Sequence, residues 1–546
     1  MDVSQNKAAP AGDLSLAPKD SHNVAELEYE KETGNGMPVT SAFATLPRLA
    51  SIRKFWRLFL FGLGVSISGM YIGYAQSVMG SIVANEGFIK QFATVADPET
   101  GAMVLNATHV SIWSAVNYAA QIVFQLISPI TADRFGRRIN LWVLTCLLTL
   151  SIVIAIVSKD WKVLTVSRIC AGFANGFIGT SAMVYLSEIA MPQFRGTLLG
   201  SFSLFFALGQ AFLAIGMKIL NDFNPMAFRN MFYSEFVFCG LWLISMVLIP
   251  ESPVWYASKG RHEDAKKALR RLVGNVEGYD IEHEYLVIRN EVEQSMATAN
   301  EQSENGWSVL FKSRVNLKRM IIATLPFTYQ NFVGVPLIFG YTTYFFSLAK
   351  MEDPFLGSMI VQIILLVGIL SSFYWVDKVG RRILVIGGGV LMGSLVFIVG
   401  GLAYLPPSTG NGIGLITLCG VWAFIYANTL APIGWISLVE VSTPHLRAKT
   451  AAIAAVIQSC SGVLFAYTVP ILLSNQGAGW GQKIGLFFGG ITFAYLIPVV
   501  FLFPETKGRT YQELDELFER RIPAWRFGST KTAYQAGVEI REAGQP

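Results

Sequence analysis

The stretch LFLFGLGVSISGMYIGYAQSVMGSIVA, residues 58–84, contains no Asp, Glu, Lys, Arg or His. As an α-helix, with about 1.5 Å of rise per residue, it would extend about 40 Å. A helix needs about 20 apolar residues to cross the roughly 30 Å hydrocarbon core of a bilayer. Residues 58–84 are therefore predicted to span a membrane.

Further segments of this kind follow along the whole chain. Three of them hold a single ionisable residue each, namely His109, Arg168 and Glu235 in residues 107–132, 163–187 and 230–250. The charge-free segments are residues 140–158, 197–217, 320–349, 355–376, 383–405, 412–439, 450–474 and 484–503. Together with residues 58–84, these segments predict twelve transmembrane spans.

The composition supports an all-α membrane protein. Of the 546 residues, 52% are hydrophobic and 14% are charged, whereas a soluble domain carries about 25% charged residues. Because backbone amides in lipid must find partners within the protein, spans of this kind are helices and not open sheets.

Lys and Arg gather in alternate loops, which predicts the orientation. The basic positions flanking the spans are Arg53, Lys54, Arg57, Arg134, Arg137, Arg138, Arg195, Lys259, Arg261, Lys266, Lys267, Arg270, Arg271, Lys378, Arg381, Arg382, Lys507 and Arg509. Basic loops stay on the cytoplasmic side. Both termini are therefore predicted to be cytoplasmic, and the glycosylation sequon at Asn106 to face outside, most simply at the plasma membrane. This asymmetry also accounts for the net charge of +5 without a nucleic-acid partner.

The sequence repeats itself. DRFGRR (133–138) returns as DKVGRR (377–382), PESP (250–253) returns as PETK (504–507), and the series Glu188, Pro192, Arg195 returns as Glu440, Pro444, Arg447. Repeats in the same order predict two homologous halves of six spans each, a transporter architecture. The expected divisions are a disordered cytoplasmic tail (1–54), two six-helix bundles (55–250 and 319–503), a cytoplasmic linker with short helices (251–318) and a second tail (504–546).

These motifs resemble the sugar porters of the major facilitator superfamily over about residues 55–520. The resemblance rests on both DxxGRR loops, YLSEIAMPQFRG (185–196), PESPVWY (250–256), APIGW (431–435) followed by Glu440, and PETKGRTYQELDELF (504–518). Gly209-Gln210 and GYTTYFF (340–346) resemble fungal hexose and disaccharide permeases more loosely. The resemblance implies a carrier of sugars or similar polyhydroxylated solutes that works by alternating access.

Charged residues at the predicted cytoplasmic ends of the spans are candidates for a gate. Carboxylates and guanidinium groups there can form charge-assisted pairs between helices, and the resemblance implies that such a network locks the outward-open state and breaks when the inner gate opens. The alternative is that these charges only set the topology. The candidates are Asp133, Arg137, Arg138, Glu188, Arg195, Glu251, Asp377, Arg381, Arg382, Glu440, Arg447 and Glu505.

Charges within the spans are candidates for energy coupling. Arg168 and Glu235 occupy spans, and the resemblance implies an aspartate partner for Arg168 at the position of Ala75. Alanine carries no proton, so we expect facilitated or at most weakly proton-coupled transport. Glu235 is the one candidate for a replacement acid, although an acid at the wet interface would need no such role.

The resemblance also places the solute site. It assigns the cavity to Gln330, Asn331, Trp435, Gln458, Ser203 and Gln210, with Pro336 and Ser203 where amides are usual. Amides suit hydroxyl-rich ligands because they both donate and accept, and Trp packs on the apolar face of a sugar. Polar residues in spans can instead join helices to one another, so both roles remain open.

Two other functions are compatible with the sequence, namely an exporter or importer of another small molecule, such as a secondary metabolite, and a nutrient sensor on a transporter scaffold. Enzymatic activity is not expected, since neither a nucleophile–base set nor a metal-ligand spacing is present in the sequence. We expect no cofactor, a monomer, and the solute and the lipid bilayer as its partners.

Overall fold

The computed structural model describes residues 41, 43, 46–96, 101–191, 193–303, 311, 313–349, 351–405, 409–442, 447–507, 509 and 511–532. Helices dominate it, and they form twelve spans. These are span 1 (Trp56–Ile82), span 2 (Ala107–Phe135), span 3 (Arg137–Val157), span 4 (Trp161–Phe177, a π-helical turn Ile178–Ala182, then Met183–Ile189), span 5 (Arg195–Phe223), span 6 (Asn230–Leu248), span 7 (Arg314–Phe332, Val335–Ile338 and Thr342–Leu348), span 8 (Pro354–Val379), span 9 (Arg381–Leu402), span 10 (Thr409–Asn428 and Leu430–Glu440), span 11 (Arg447–Leu473) and span 12 (Ile484–Leu502).

The predicted all-α architecture of twelve spans is confirmed. Within the described residues, ten helices are long and apolar enough to cross a membrane. The remaining two spans, 4 and 7, are interrupted helices, which is why neither forms one long apolar helix. We call the side that carries residues 133–138 and 377–382 the motif side, and the opposite side, with Asn106, the sequon side.

Span 7 is broken into three helices. Gly334 adopts φ +105°, a conformation that residues with a side chain rarely adopt. Pro336 then stands in the first turn of the next short helix, where its missing N–H costs no hydrogen bond. The break lies between residues 332 and 342, toward the sequon side.

Shorter helices cover the motif side. The linker forms Pro253–Ser258, His262–Val273 and Ile281–Ser303, and residues after span 12 form Tyr511–Glu519. The helix His262–Val273 has acidic residues in its first turn and basic residues in its last turn, which complements the helix dipole. On the sequon side, the loop after span 1 forms a helix, Glu86–Phe92, and a two-stranded antiparallel hairpin of Val95–Ala96 and Met103–Val104.

The assignment of residues 1–54 to a disordered tail needs correction at its end. Arg48–Lys54 is helical, and the Phe43 ring is buried between the rings of Phe55 and Tyr279. Ser41 donates a hydrogen bond of 2.9 Å to Glu284 of the linker. The polar composition of residues 1–50 concealed this segment, because nothing local to Phe43 indicates its contact with Tyr279 of the linker.

Candidate functional site

The motif side of the first half carries a network centred on Arg137. Its guanidinium lies 2.8 Å from the Glu188 carboxylate of span 4 and 3.1 Å from Asp133, which is largely exposed. Glu251 accepts hydrogen bonds of 3.1 and 3.0 Å from the backbone N–H groups of Arg137 and Arg138, at the start of span 3. Burial raises the pKa of the Glu251 carboxyl. The PESP carboxylate thus caps a helix N-terminus, where a negative charge is favoured.

The second half repeats this arrangement. Arg381 lies 3.1 Å from Glu440, and Glu505 accepts hydrogen bonds of 2.9 and 3.1 Å from the backbone N–H groups of Arg381 and Arg382, at the start of span 9. Thr506 donates to the other oxygen of Glu440 at 2.5 Å. The sequence repeat therefore corresponds to a repeated set of contacts.

These ion pairs join spans of the same half. Arg137 and Glu188 both belong to the first half, and Arg381 and Glu440 both belong to the second. Arg195, at the start of span 5, is exposed. The side chains of Asp377 and Arg447 fall outside the described part of the chain, so all six predicted gate residues of the first half and four of the six in the second half can be placed.

Arg168 and Glu235 are both buried within the spans of the first half. Their side chains are among the most buried charged groups of the spans, and they interact electrostatically. Tyr71 and Tyr74 of span 1 interact electrostatically with Glu235. The Arg168 Nε is buried and has no hydrogen-bond partner among the described residues. Ala75, on span 1, offers no carboxylate to this arginine.

Gln330 and Asn331 are buried and bound to neighbouring spans. The Gln330 side chain accepts a hydrogen bond of 2.8 Å from the Tyr426 hydroxyl and donates one of 3.4 Å to the Leu430 carbonyl, both in span 10. Asn331 donates to span 11, at 2.9 Å to the Gln458 carbonyl and 2.7 Å to Ser461. Both amides therefore make helix contacts. The Asn331 Oδ1 accepts no hydrogen bond from any residue that the structure describes.

The other predicted solute residues lie on spans 5, 10 and 11. Trp435 is 41% exposed and packs edge-on against Phe327 of span 7, with ring centroids 4.6 Å apart. Gln210 of span 5 donates a hydrogen bond of 3.1 Å to Ser77 of span 1. The remaining two, Ser203 and Gln458, are half-buried.

Sequence reasoning missed a polar stripe on span 2. Ser114, Tyr118, Gln121 and Gln125 recur every three or four residues and so share one helix face. Gln125 accepts a hydrogen bond of 3.0 Å from Ser459 of span 11. The Gln121 side-chain oxygen is buried without a partner in the described part of the chain. The helical spacing of the four polar residues was the signal that could have revealed this face.

Two halves of six spans, related by a repeat and meeting along polar faces, define a membrane transporter of the major facilitator type. Among solved structures, the chain is similar to the partially occluded inward-open form of the xylose transporter XylE from E. coli, with a TM-score of 0.68, 22% identity, and coverage of 83% of this chain and 100% of that one. That likeness concerns the fold.

The sugar (and other) transporter family model matches residues 62–518. The chain belongs to this family. It is 27% identical to a high-affinity glucose transporter of Kluyveromyces lactis, covering 86% of this chain and 87% of that protein. It is also 29% identical to a maltose permease of Saccharomyces cerevisiae, covering 95% of this chain and 85% of that protein.

Proposed function

We propose that this protein carries a sugar across the membrane, with the solute bound between the two six-span halves. The observation that carries the proposal is the polar stripe on span 2, which meets the second half through the hydrogen bond between Ser459 and Gln125. Asn331 and Trp435 are the candidate solute groups of the second half. Membership of the family supports it, as do the glucose and maltose permeases among the relatives. The comparisons favour neither a metabolite exporter nor a sensor.

The chemistry of these side chains suits a sugar. Asn331 keeps a free acceptor, and Gln121 has a side-chain oxygen without a described partner, so each can accept a hydrogen bond from a hydroxyl group. The exposed Trp435 ring offers an apolar face of the kind that packs on the C–H surface of a sugar ring. The Gln330 side chain already hydrogen-bonds to Tyr426 and Leu430. Its role is therefore to hold span 10 in place, or to exchange one of these bonds for a bond to the solute.

The motif side is assigned to the cytoplasm and the sequon side to the exterior, at the plasma membrane. The loop asymmetry of Lys and Arg supports this orientation. Asn106 would then be available for glycosylation. Its Oδ1 accepts a hydrogen bond of 2.8 Å from the Thr108 N–H at the start of span 2, so a glycan would stand at the mouth of the carrier.

Residues 55–250 and 319–503 are proposed to be the moving units, joined by the linker 251–318. Rocking of the two units would expose the solute alternately to each side. The matching networks on the motif side keep spans 3 and 4 together in one unit and spans 9 and 10 in the other.

Transport is proposed to be facilitative, because Ala75 removes the usual proton-carrying group. Glu235 is buried beside Arg168 and is the acid best placed to retain weak coupling. A charge enclosed in this way is costly to bury unless it is compensated, so Arg168 and Glu235 stabilise one another.

The test is sugar uptake in a yeast that lacks its own hexose and maltose carriers. Radiolabelled glucose, xylose and maltose are supplied at matched surface levels of the protein and compared with an empty vector. Saturable uptake of at least one sugar, competed by the unlabelled sugar, is expected. Uptake at the vector rate for all three, with the protein present at the cell surface, would contradict the proposal.

A further inference from the structure

Two of the contacts between the halves on the sequon side lie between spans 2 and 11 and between spans 5 and 8. In the first, Gln476, just after span 11, reaches across to the start of span 2. Its amide donates a hydrogen bond of 2.9 Å to the Leu105 carbonyl and accepts one of 3.0 Å from the Ala107 N–H. One side chain of the second half thus hydrogen-bonds to two backbone groups of the first half.

In the second boundary, Lys218 near the end of span 5 lies 2.6 Å from Asp353, which begins span 8. Asp353 also caps span 8, accepting a hydrogen bond of 2.9 Å from the Leu356 N–H. Lys218 keeps a second partner in its own half, Asp222, also at 2.6 Å.

The two boundaries are equivalent under the repeat. Shifting by six spans turns span 2 into span 8 and span 5 into span 11, so the boundary between spans 2 and 11 corresponds to the one between spans 8 and 5. In each, a side chain at the end of one span holds the beginning of another span from the opposite half. A neutral amide does this at one boundary and an ion pair does it at the other.

We propose that Gln476 and the Lys218–Asp353 pair are two latches that hold the sequon side closed during transport. The inference rests on the proposed alternating access. Both latches can open with only a small loss of free energy. When the halves part, Lys218 retains Asp222 and Asp353 retains the Leu356 N–H, so neither charge loses its last partner. Gln476 is half-buried, so water can solvate its amide when its bonds to Leu105 and Ala107 break.

Span 1 and span 7 close the middle of the same side. A Cβ atom at Gly80 would collide with the Gly340 carbonyl oxygen in the break of span 7, so these backbones are in direct contact. Beside this contact, the hydroxyl oxygens of Ser81 (span 1) and Thr343 (span 7) lie 3.5 Å apart. The two latches therefore flank a closed central contact and do not bridge an open mouth.

The test measures access from the sequon side. Ser114, on span 2 below the latches, is replaced by cysteine in a full-length protein whose five native cysteines are removed, and the rate of labelling by a membrane-impermeant maleimide is measured on the purified protein. Gln476→Ala removes two hydrogen bonds and Asp353→Asn removes the ion pair with Lys218. Each is expected to speed labelling by at least the roughly 2- to 13-fold that corresponds to one lost hydrogen bond. Gln482→Ala and Glu352→Gln, which lie beside the latches, are the matched controls and should leave the rate unchanged. Equal rates in latch and control variants would overturn the proposal.

A second arm covers variants that fail to fold. Lys218→Cys with Asp353→Cys is bridged by a short thiol-reactive cross-linker that a reductant cleaves. Sugar uptake should stop on cross-linking and return on reduction, and uptake that continues at the uncross-linked rate would overturn the latch at spans 5 and 8. If the labelling responds as expected but no sugar is carried even before cross-linking, the latches stand and the proposed sugar transport is what fails.

Discussion

The Tyr426 hydroxyl of span 10 donates a 2.8 Å hydrogen bond to the Gln330 side chain of span 7. Both residues are buried, and the Tyr426 ring stacks on Trp422 with the planes 4° apart. The first amide of the predicted solute pair is thus fixed by a rigid aromatic partner. A solute that uses Gln330 must either accept from its amide or displace Tyr426.

Gln330→Ala and Asn331→Ala are predicted to weaken sugar binding by roughly 2- to 13-fold each, because a hydrogen bond between uncharged groups contributes about 0.5–1.5 kcal/mol. Binding is measured on the purified variants with whichever sugar the uptake panel identifies. Thr468→Ala is the control, since Thr468 is half-buried on span 11 and its hydroxyl donates only to the Leu464 carbonyl of its own helix. Affinities equal to that of the parent in both variants would mean that the amides serve helix packing alone.

Arg137→Ala and Glu440→Ala are predicted to slow initial uptake by roughly tenfold, because hydrogen bonds to charged groups contribute about 1.5–3 kcal/mol and their loss shifts the balance between conformations. Arg137 and Glu188 are 13% and 11% exposed, so solvent screens this pair little. Arg520→Ala, which removes an exposed pair with Glu516, should have no effect. Normal uptake in both gate variants at matched surface levels would refute a gating role.

Uptake is predicted to be nearly insensitive to a protonophore when the sugar concentration is equal on both sides, because Ala75 cannot carry a proton. Glu235→Gln should abolish any residual sugar-evoked proton entry, measured as alkalinisation of the medium. Proton entry that survives this substitution would show that another group couples the two fluxes.

The orientation predicts which engineered cysteines react from outside intact cells. His262→Cys, on the exposed surface of the linker, should react with an impermeant maleimide only after the membrane is permeabilised. Met103→Cys, 56% exposed on the sequon side, should react in intact cells. The reverse pattern of labelling would show that the predicted topology is inverted.

The sequence predicted the spans well because charge-free runs report burial in lipid directly. Gly334 and Pro336, residue types that disfavour a continuous helix, lie where span 7 breaks. The sequence could not show that Gln330 already hydrogen-bonds to Tyr426, because Tyr426 lies 96 positions away and no residue near Gln330 indicates this contact. The same holds for Phe43, whose burial depends on Tyr279 in the linker. The helical spacing of polar residues on span 2, including Gln121 and Gln125, could have been detected in the sequence. It is a weaker pattern than the charge-free segments that predict the spans.

The most direct test of the central claim is counterflow. The purified protein is placed in liposomes loaded with unlabelled sugar and diluted into a trace of the same radiolabelled sugar, with no ion gradient. A carrier with alternating access should concentrate the label inside transiently, because returning carriers bring label in while unlabelled sugar leaves. The account predicts this overshoot for the sugar found in the uptake panel, and its loss when the Lys218→Cys, Asp353→Cys variant is cross-linked. Equilibration of the label without overshoot, or no entry at all, would contradict it.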